Sequence, residues 1–457
     1  MTTREFDVIV IGAGPAGEVI AGRLGDAGLE VAIVEHHLVA GECSFYACMP
    51  SKALIRPGQV LDETRRIPGA AEAATGELDT DAVFARRDEI IHNLDDSSYI
   101  PWLEEHGAVV VRGHGQFDGE RVVVVGDERL TARRAVVVAI GSRATLPPID
   151  GLADAAPWTN REITTAKAVP ESLLVIGGGP VGVEMSQAYR HLGAEVTVLE
   201  AGDRLLAREE PFASEQVAEA MSELGVDVRT HAKIASVRRN GKVTVTLDGG
   251  EELTAEALLV SAGRAAPLAD LGLDTVDLAG FADRGHLDVD DTMRVPGHDW
   301  LYVIGDANGR ILLTHMGKYQ ARLASDHILG RDVELRSDGG LSPRVTFCDP
   351  QVAAVGHTLA SALDAGIAAR AVDVGTSANA GGSYYGRGAA GTARMVVDTD
   401  REVIVGATIT GAEIQDFLHA ATIAVIGEVP LRRLWHAVPA FPTRSELWLR
   451  LLEEYGL

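Results

Sequence analysis

Residues 7–35 read DVIVIGAGPAGEVIAGRLGDAGLEVAIVE, and residues 172–200 read SLLVIGGGPVGVEMSQAYRHLGAEVTVLE. The two stretches align without a gap at an offset of 165 residues. Each contains an apolar strand, a glycine-rich turn, a helical segment closed by a glycine, a second apolar strand and a terminal glutamate. Such a repeat predicts two copies of one βαβ unit, and therefore an α/β protein.

Both copies carry the glycine pattern of a dinucleotide-binding turn. The first glycine allows a tight turn, the second lets a pyrophosphate approach the main chain, and the third lets the helix pack closely on the strand. The N-terminus of the helix then faces the phosphates. These glycines are Gly12, Gly14 and Gly17 in the first copy and Gly177, Gly179 and Gly182 in the second.

A carboxylate closes each copy. Glu35 and Glu200 each lie 18 residues after the third glycine, close to the roughly 20 expected for a group that accepts a hydrogen bond from a ribose hydroxyl. A single glycine pattern of this kind is a weak signal. Two in register, each with its strand, helix and acid, predict two dinucleotide sites.

The composition excludes some partners. The chain has 457 residues, 46% of them hydrophobic, which is enough for about three domains. Its 41 basic and 66 acidic residues give a net charge of −25, and no run of Lys and Arg offers a phosphate-binding face. No stretch has the roughly 18 consecutive apolar residues of a membrane span. We therefore expect no nucleic-acid or membrane partner, and a cytoplasmic location.

Outside the repeat, the pattern of apolar residues predicts further elements. Residues 53–104 are largely helical in pattern. The Asn240-Gly241 pair predicts a hairpin turn within residues 238–250. The other predicted elements are strands at 108–111, 121–125, 135–140, 300–306, 344–347, 393–398 and 403–409 and a helix at about 412–427.

Cys43 and Cys48 lie five positions apart, and Cys348 is the third cysteine of the chain. In an undistorted helix, the Cα atoms of Cys43 and Cys48 would be about 8.6 Å apart. This distance is beyond the disulfide range of roughly 4.4 to 6.8 Å. A bridge would need an irregular turn at Cys43, and a disulfide held in such a turn is more reducible than a structural one. Two buried thiols are the alternative. No second cysteine pair or histidine cluster predicts a metal site.

Nearly the whole chain resembles the flavin-dependent pyridine nucleotide–disulfide oxidoreductases, the family of dihydrolipoamide dehydrogenase, glutathione reductase and mercuric reductase. The resemblance rests on motifs in the family's order: GxGxxG, CxxxxC-x-P-[ST]-K, A-[TI]-G-S, GxGxxGxE, G-R and G-D. Here they are Gly12–Gly17, Cys43–Lys52, Ala139–Ser142, Gly177–Glu184, Gly263-Arg264 and Gly305-Asp306. Gly115 is similar to a family glycine near the flavin adenine.

The resemblance implies an α/β fold of two Rossmann-like dinucleotide-binding domains plus a C-terminal α+β interface (dimerisation) domain. An FAD-binding domain would occupy residues 1–147, completed by about 271–336, an NAD(P)-binding domain 148–270, and the interface domain 341–457. It also implies a homodimer that acts on a small-molecule substrate. The residues expected to bind the cofactors are Gly12, Gly14, Gly17, Glu35, Lys52, Gly115, Gly141, Ser142, Gly177, Gly179, Gly182, Glu200, Gly263, Arg264, Gly305 and Asp306.

The resemblance also assigns chemistry to the cysteine motif. Hydride would pass from the nicotinamide nucleotide to FAD and on to a Cys43–Cys48 disulfide. Cys48 would then be the thiolate against the flavin, and Cys43 the thiol that exchanges with substrate. Lys52, near the flavin, would pair with Glu184.

The choice of nicotinamide nucleotide follows from charge. A glutamate at position 200 bonds a ribose 2′-hydroxyl but repels a 2′-phosphate, which favours NADH. Arg204 and Arg208 follow closely and could reach a phosphate. NADPH therefore stays open.

The C-terminus departs from the family. Disulfide-reducing members end in His-Pro-Thr-x-Ser-Glu, where the histidine, oriented by the glutamate, shuttles protons. Here the run is Phe441-Pro442-Thr443-Arg444-Ser445-Glu446, so the histidine is missing while Glu446 remains. His436 is a weak substitute. Mercuric reductases also have Phe-Pro there, but this chain lacks their C-terminal cysteine pair.

Three functions fit these residues. The first is a reductase of a disulfide or related sulfur substrate that works without the usual base. The second is an NAD(P)H dehydrogenase that passes electrons to a quinone or other non-thiol acceptor. The third is a flavin-bound redox sensor without turnover.

Overall fold

The computed structural model describes residues 2–386, 388–389 and 391–457. The strands are β1 Thr2–Ile11, β2 Val31–Glu35, β3 Ala108–Arg112, β4 Gly115–Phe117, β5 Val122–Val125, β6 Glu128–Val138, β7 Arg143–Ala144, β8 Ser172–Ile176, β9 Glu195–Leu199, β10 Asp227–Arg229, β11 Ile234–Asn240, β12 Lys242–Leu247, β13 Glu252–Ala255, β14 Ala257–Val260, β15 Arg264–Ala265, β16 Leu301–Val303, β17 Arg344–Thr346, β18 Gln351–Gly356, β19 Ala369–Gly375, β20 Thr392–Asp398 and β21 Val403–Gly411.

The helices are α1 Pro15–Asp26, α2 Gly41–Phe45, α3 Cys48–Arg66, α4 Thr80–Ile90, α5 Ile100–Glu105, α6 Asn160–Thr165, α7 Pro180–His191, α8 Pro211–Glu223, α9 Thr314–Ile328, α10 Leu359–Asp364, α11 Ala380–Ser383, α12 Leu418–Ile426, α13 Leu431–Leu434 and α14 Glu446–Tyr455. Among the described residues, no helix is both long enough and apolar enough to cross a membrane.

The chain divides into two compact units. The first comprises the chain up to Pro50 with Asp88–Thr145 and Gly263–Gly339. The second comprises Ser51–Arg87, Leu146–Ala262 and Gly340–Leu457. The three-domain boundaries at 147/148, 270/271 and 341 stay predictions.

The first unit is built on a largely parallel sheet in the order β3-β2-β1-β6-β5-β4, with β16 also paired to β6. Ile9 and Ile11 of β1 enter one hydrophobic core, while Val8 and Val10 enter another. A strand covered on both faces needs an unbroken apolar run, which is what the sequence shows. The parallel strands β1, β2, β6 and β16 therefore end at one edge of the sheet.

In the described part of the second unit, the strands form three sheets. A parallel sheet in the order β10-β9-β8-β14 repeats the first copy's arrangement, and Leu173 and Leu174 of β8 again enter different cores. The strands β11, β12 and β13 form an antiparallel sheet in which Asn240 pairs with Lys242, so the predicted hairpin is confirmed. The third sheet is antiparallel, in the order β17-β18-β21-β20-β19.

One predicted helix begins later than expected. The apolar periodicity from residue 412 predicts a helix there, but α12 starts at Leu418. Glu413 has a positive φ of 53°, and the main-chain N–H groups of Ile414 and Gln415 donate to the side chain of Gln351 at 2.9 and 3.2 Å. The segment is therefore a turn held by a side chain rather than by helical hydrogen bonds.

Candidate cofactor and redox site

The first glycine-rich turn leaves no room for side chains at two of its glycines. At Gly12, where φ is +104°, an added Cβ would lie 2.4 Å from the carbonyl oxygen of Ala139, and at Gly17 it would lie 2.0 Å from that of Gly12. At Gly14, just before α1, an added Cβ would meet no atom within 4 Å. The space above the helix N-terminus is thus open, as binding of a pyrophosphate requires.

Glu35 closes this turn. Its buried carboxylate accepts from the main-chain N–H groups of Ala13 at 2.8 Å and His37 at 2.7 Å. A carboxylate offers about four lone-pair directions, so two remain for ribose hydroxyls. The arrangement fits the adenosine half of a dinucleotide.

Ser142, Arg264 and Asp306 meet at the carboxyl edge of the same sheet. The Ser142 hydroxyl donates to Asp306 Oδ2 at 2.5 Å. The guanidinium of Arg264 donates to the Ser142 hydroxyl at 2.8 Å and to its carbonyl at 2.6 Å. Burial raises the pKa of Asp306, although the Ser142 hydrogen bond and the Arg264 charge oppose this shift. A buried acid at a strand end fits the polar chain of a flavin nucleotide.

Four further glycines of the predicted site lie in the first unit. Gly141 follows β6 and has a φ of +66°. Gly115 begins β4, where an added Cβ would lie 3.1 Å from Val34 and 3.2 Å from Ile11. Gly305 precedes Asp306, and Gly263 precedes Arg264.

The two cysteines lie on either side of a helix break. Cys43 lies inside α2, which ends at Phe45, and Cys48 is the first residue of α3. Tyr46 has a non-helical φ of −134°. The irregular residues therefore lie between the cysteines. Because both cysteines are free thiols here, the irregular turn that a bridge would need at Cys43 stays a prediction.

Cys43 and Cys48 are present as thiols and interact directly. The hydrogen bond between their side chains, together with burial, raises the pKa of Cys43 well above its ordinary value. Cys48 occupies the N-terminus of α3, where the helix dipole favours a thiolate. The pair is thus asymmetric: a protonated Cys43 beside a Cys48 placed to carry negative charge.

Thr314 also contacts this pair, and no motif predicted it. Its hydroxyl oxygen lies 3.4 Å from Cys48 Sγ, and it also hydrogen-bonds Cys43, which lowers the pKa of that thiol. Thr314 is the first residue of α9 and lies 266 positions from Cys48. The sequence carries no signal for a contact over that distance.

The second glycine-rich turn repeats the first. Added Cβ atoms at Gly177 and Gly182 would lie 2.8 Å from the Ser261 carbonyl and 2.0 Å from the Gly177 carbonyl, whereas Gly179 again faces open space. The Glu200 carboxylate accepts from the N–H groups of Gly178 and Gly202, both at 2.6 Å. This turn fits a second nucleotide for the same reasons.

The cations after Glu200 differ in what they contact. The guanidinium of Arg204 donates to the carbonyl oxygens of Glu209 at 3.0 Å and Ala207 at 2.8 Å, and to the Ser214 hydroxyl at 3.3 Å. Arg204 is therefore tied to the protein's own acceptors. Arg208 is exposed.

Lys52 and Glu184 form an ion pair in the second unit. Lys52 Nζ lies 2.7 Å from Glu184 Oε2 and 4.6 Å from the centre of the Phe347 ring. The other oxygen of Glu184 accepts from the Phe347 N–H at 2.8 Å. Glu184 is buried in α7 while Lys52 is partly exposed. The structure thus contains the predicted pairing.

The C-terminal residues offer little acid–base chemistry. The Phe441 side chain is 76% exposed, and His436 is exposed as well. Glu446 begins α14, and its buried Oε2 atom has no hydrogen-bond partner in the described part of the chain. Glu446 Oε2 is therefore an acceptor without a donor among the described residues, at the position where the family's histidine would donate.

Comparisons with known proteins agree with this geometry. Residues 6–321 match the family described as pyridine nucleotide-disulphide oxidoreductase, and residues 342–451 match its dimerisation domain. The chain is 30% identical to a dihydrolipoyl dehydrogenase of Mycobacterium tuberculosis, covering 96% of both chains. It is 27% identical to a mercuric reductase of Lysinibacillus sphaericus, covering 96% of this chain and 81% of that one.

Solved structures show the same fold. LpdA from Mycobacterium tuberculosis superposes with a TM-score of 0.86 at 23% identity, covering 100% of both chains. The HOCl-induced flavoprotein disulfide reductase RclA from Escherichia coli superposes with a TM-score of 0.84 at 22% identity, covering 98% of this chain and 99% of that one.

Proposed function

Because this chain belongs to the pyridine nucleotide–disulphide oxidoreductases, we propose that it reduces a small disulfide through Cys43 and Cys48. The protein is an FAD-dependent oxidoreductase that uses NAD(P)H. The observation that carries the proposal is the asymmetry of the cysteine pair, since a protonated Cys43 touches a Cys48 that heads a helix.

FAD, when bound, supplies the two-electron carrier between NAD(P)H and the cysteine pair. The glycine-rich turn at Gly12–Gly17, with Glu35, Ser142 and Asp306, would hold it. The second turn, with Glu200, would hold the nicotinamide nucleotide. We propose NADH, since Glu200 is anionic and Arg204 is engaged elsewhere.

Cys43 and Cys48 have different roles in the proposed reaction. Reduction breaks the Cys43–Cys48 bond and leaves Cys43 as a thiol and Cys48 as a thiolate, stabilised by the α3 N-terminus and the Thr314 hydroxyl. Cys43 then loses its proton and attacks one sulfur of the substrate disulfide. The substrate S–S bond breaks, a Cys43–substrate disulfide forms, and the first half of the substrate leaves and takes up a proton as a thiol. Cys48 resolves the mixed disulfide by attacking Cys43 Sγ, which releases the second half of the substrate as a thiol.

Two further expectations belong to this proposal. The dimerisation domain at residues 342–451 supports a homodimer. With three cysteines in 457 residues, too few for a disulfide framework, a reducing cytoplasmic compartment suits a redox pair.

A second candidate is electron transfer to a quinone or another non-thiol acceptor. The exposed Phe441 favours it, because the position of the family's proton carrier holds an apolar ring. In that reaction the cysteine pair would be accessory. Dependence of turnover on the cysteines separates the two functions.

The test compares Cys43→Ser, Cys48→Ser and, as the matched control, Cys348→Ser of the buried third cysteine. After two-electron reduction, we expect Cys43→Ser to keep a long-wavelength thiolate-to-flavin band and Cys48→Ser to lose it. Both should lose NADH-dependent reduction of lipoamide or glutathione disulfide, while the control keeps it. If both active-site variants match wild type in absorbance and in acceptor reduction, the disulfide mechanism is wrong and the second candidate stands.

A further inference from the structure

The segment that follows Glu200 is tied to the second glycine-rich turn. Residues 201–210 lie between Glu200 and the start of α8, and we call them the coenzyme loop. The Leu206 N–H donates to the Gly178 carbonyl at 2.9 Å, and the Gly178 N–H in turn donates to Glu200 at 2.6 Å. Leu206 is buried and has a positive φ of 48°. The coenzyme loop therefore lies against the turn that would hold the nicotinamide nucleotide.

The far end of the coenzyme loop carries two buried carboxylates. Glu209 and Glu210 are only 9% and 2% exposed, a degree of burial that glutamate seldom reaches unless it is paired. Arg344 donates to both oxygens of Glu209, at 2.7 and 2.9 Å. Arg394 donates to one oxygen of Glu210 at 2.9 Å, and the Leu359 N–H donates to the other at 2.7 Å. Each loop carboxylate thus has a guanidinium partner.

Both guanidinium groups come from the third sheet. Arg344 lies on β17 and Arg394 on β20, within the residues 342–451 that match the dimerisation domain. Arg394 is itself held in place, because it also donates to both oxygens of Asp373 on β19, at 2.7 and 2.6 Å. Losing one partner of a buried ion pair is costly, since the other charge is left uncompensated. The coenzyme loop is therefore anchored on the glycine-rich turn and on this sheet.

We propose that Arg344 and Arg394 are positioning residues for the nicotinamide nucleotide. Through their ion pairs with the two loop carboxylates, they hold the coenzyme loop closed on Gly178 before the nucleotide binds. The inference rests on the proposed function, which assigns that nucleotide to the second turn. A loop that is already closed raises affinity, because the apparent affinity of a site falls with the fraction of molecules in which the site is formed. The dimerisation domain thus contributes to coenzyme binding through the loop.

The test measures coenzyme binding separately from hydride transfer. In the holoenzyme, Arg344→Met and Arg394→Met should each raise the Kd of NAD⁺ by about tenfold, as expected if the loop is closed in only about one molecule in ten. NAD⁺ is the probe for calorimetric titration because it binds without reducing the flavin. The limiting rate of flavin reduction at saturating NADH should stay at the wild-type value, because bound coenzyme closes the loop.

Arg238→Met is the matched control, since Arg238 also donates to both oxygens of a glutamate, Glu252, but on the exposed hairpin sheet. It should leave both the Kd and the limiting rate unchanged. Arg344→Lys keeps the positive charge and should recover part of the lost affinity. Glu209→Gln serves if an arginine variant does not fold: it keeps the shape of the side chain, loses the ion pair and should also raise the Kd of NAD⁺.

A wild-type Kd of NAD⁺ in the folded variants of Arg344, Arg394 and Glu209 would overturn the inference. A limiting rate of flavin reduction that falls as much as the Kd rises would also overturn it, because the damage would then reach beyond the loop. Failure of the proposed function is a different result: Gly182→Ala would bind NAD⁺ as tightly as wild type, so the coenzyme would not occupy the second turn.

Discussion

The two glycine-rich turns share one main-chain frame but differ in the side chains placed around it. Residue 13 donates to Glu35 as residue 178 donates to Glu200, and residues 37 and 202 supply the second hydrogen bond. The glycine clashes also match: Cβ atoms at Gly17 and Gly182 would each lie 2.0 Å from the carbonyl of the first glycine.

The differences begin directly after the third glycine. The first copy has Glu18 and Val19 where the second has Val183 and Glu184. Glu18 lies within reach of Lys318, whereas Glu184 is paired with Lys52. The main-chain frame thus fixes where a nucleotide can bind. The acidic residue behind the third glycine lies one position earlier in the first copy than in the second, and a different lysine acts on it.

We expect the largest effect on nucleotide binding from replacing the third glycine in each copy. Gly17→Ala should yield protein without FAD, because the new Cβ overlaps the Gly12 carbonyl and the turn cannot close. Gly182→Ala should yield yellow protein whose flavin NADH reduces poorly, with an affinity loss of at least about tenfold, or roughly 1.4 kcal/mol. Flavin absorbance and stopped-flow reduction measure these outcomes.

Gly14→Ala and Gly179→Ala are the matched controls, since their Cβ atoms meet open space. They should fold like wild type and weaken only the nucleotide of their own copy. Loss of FAD from Gly182→Ala as well would mean that the two turns do not bind separate nucleotides.

A smaller effect should distinguish the two terminal acids. Glu200→Gln should raise the preference for NADPH over NADH by about tenfold, because removing one negative charge relieves repulsion of a 2′-phosphate. Glu35→Gln makes the same change in the first copy, where the carboxylate also accepts from main-chain N–H groups, and should leave the coenzyme ratio unchanged. The measurement is kcat/KM for each coenzyme, and an unchanged ratio in Glu200→Gln would remove Glu200 from coenzyme choice.

The smallest expected effect concerns the ends of the two helices. α7 ends at His191 where α1 ends at the exposed Asp26. His191 lies 2.7 Å from Asp62 and 2.8 Å from the Gln187 carbonyl. Burial opposes its charged form, but the Asp62 hydrogen bond and the charges of Asp62 and Asp349 outweigh burial, so its pKa is raised.

A raised pKa in the folded state means that the folded protein holds this proton more tightly than the unfolded chain does. The stabilisation is therefore fully present below the ordinary histidine pKa of about 6.5 and is lost as pH rises through the raised value. Urea midpoints should therefore fall as the pH is raised from below the ordinary histidine pKa. Asp62→Asn should flatten this dependence, whereas Asp26→Asn should not; equal slopes in all three proteins would contradict the assignment.

Local pattern was enough to predict the nucleotide-binding turns. The glycines and the terminal acid of each turn lie within one short run of the sequence, so their spacing alone placed the turns, and the alternating run around Asn240-Gly241 placed a hairpin. The start of α12 was missed because the Gln351 side chain holds residues 414 and 415 in a turn. The periodicity of apolar residues cannot reveal that a side chain more than 60 positions away accepts the hydrogen bonds of these main-chain N–H groups.

The redox site was predicted only in part. The motif identified Cys43 and Cys48, but helix geometry alone did not locate the helix break at Tyr46 between them. Thr314 carries no motif, because its contact with Cys48 joins two residues 266 positions apart in the chain. Such a relation exists only once the chain has folded.

The duplicated turn has an evolutionary consequence. Its hydrogen bonds to Glu35 and Glu200 come from main-chain N–H groups, so a point mutation of the neighbouring side chains leaves the donors in place. After a duplication, each copy could therefore change the residues behind its third glycine without losing the fold. A frame built from the backbone lets new chemistry arise in one half of a molecule while the other half keeps its old ligand.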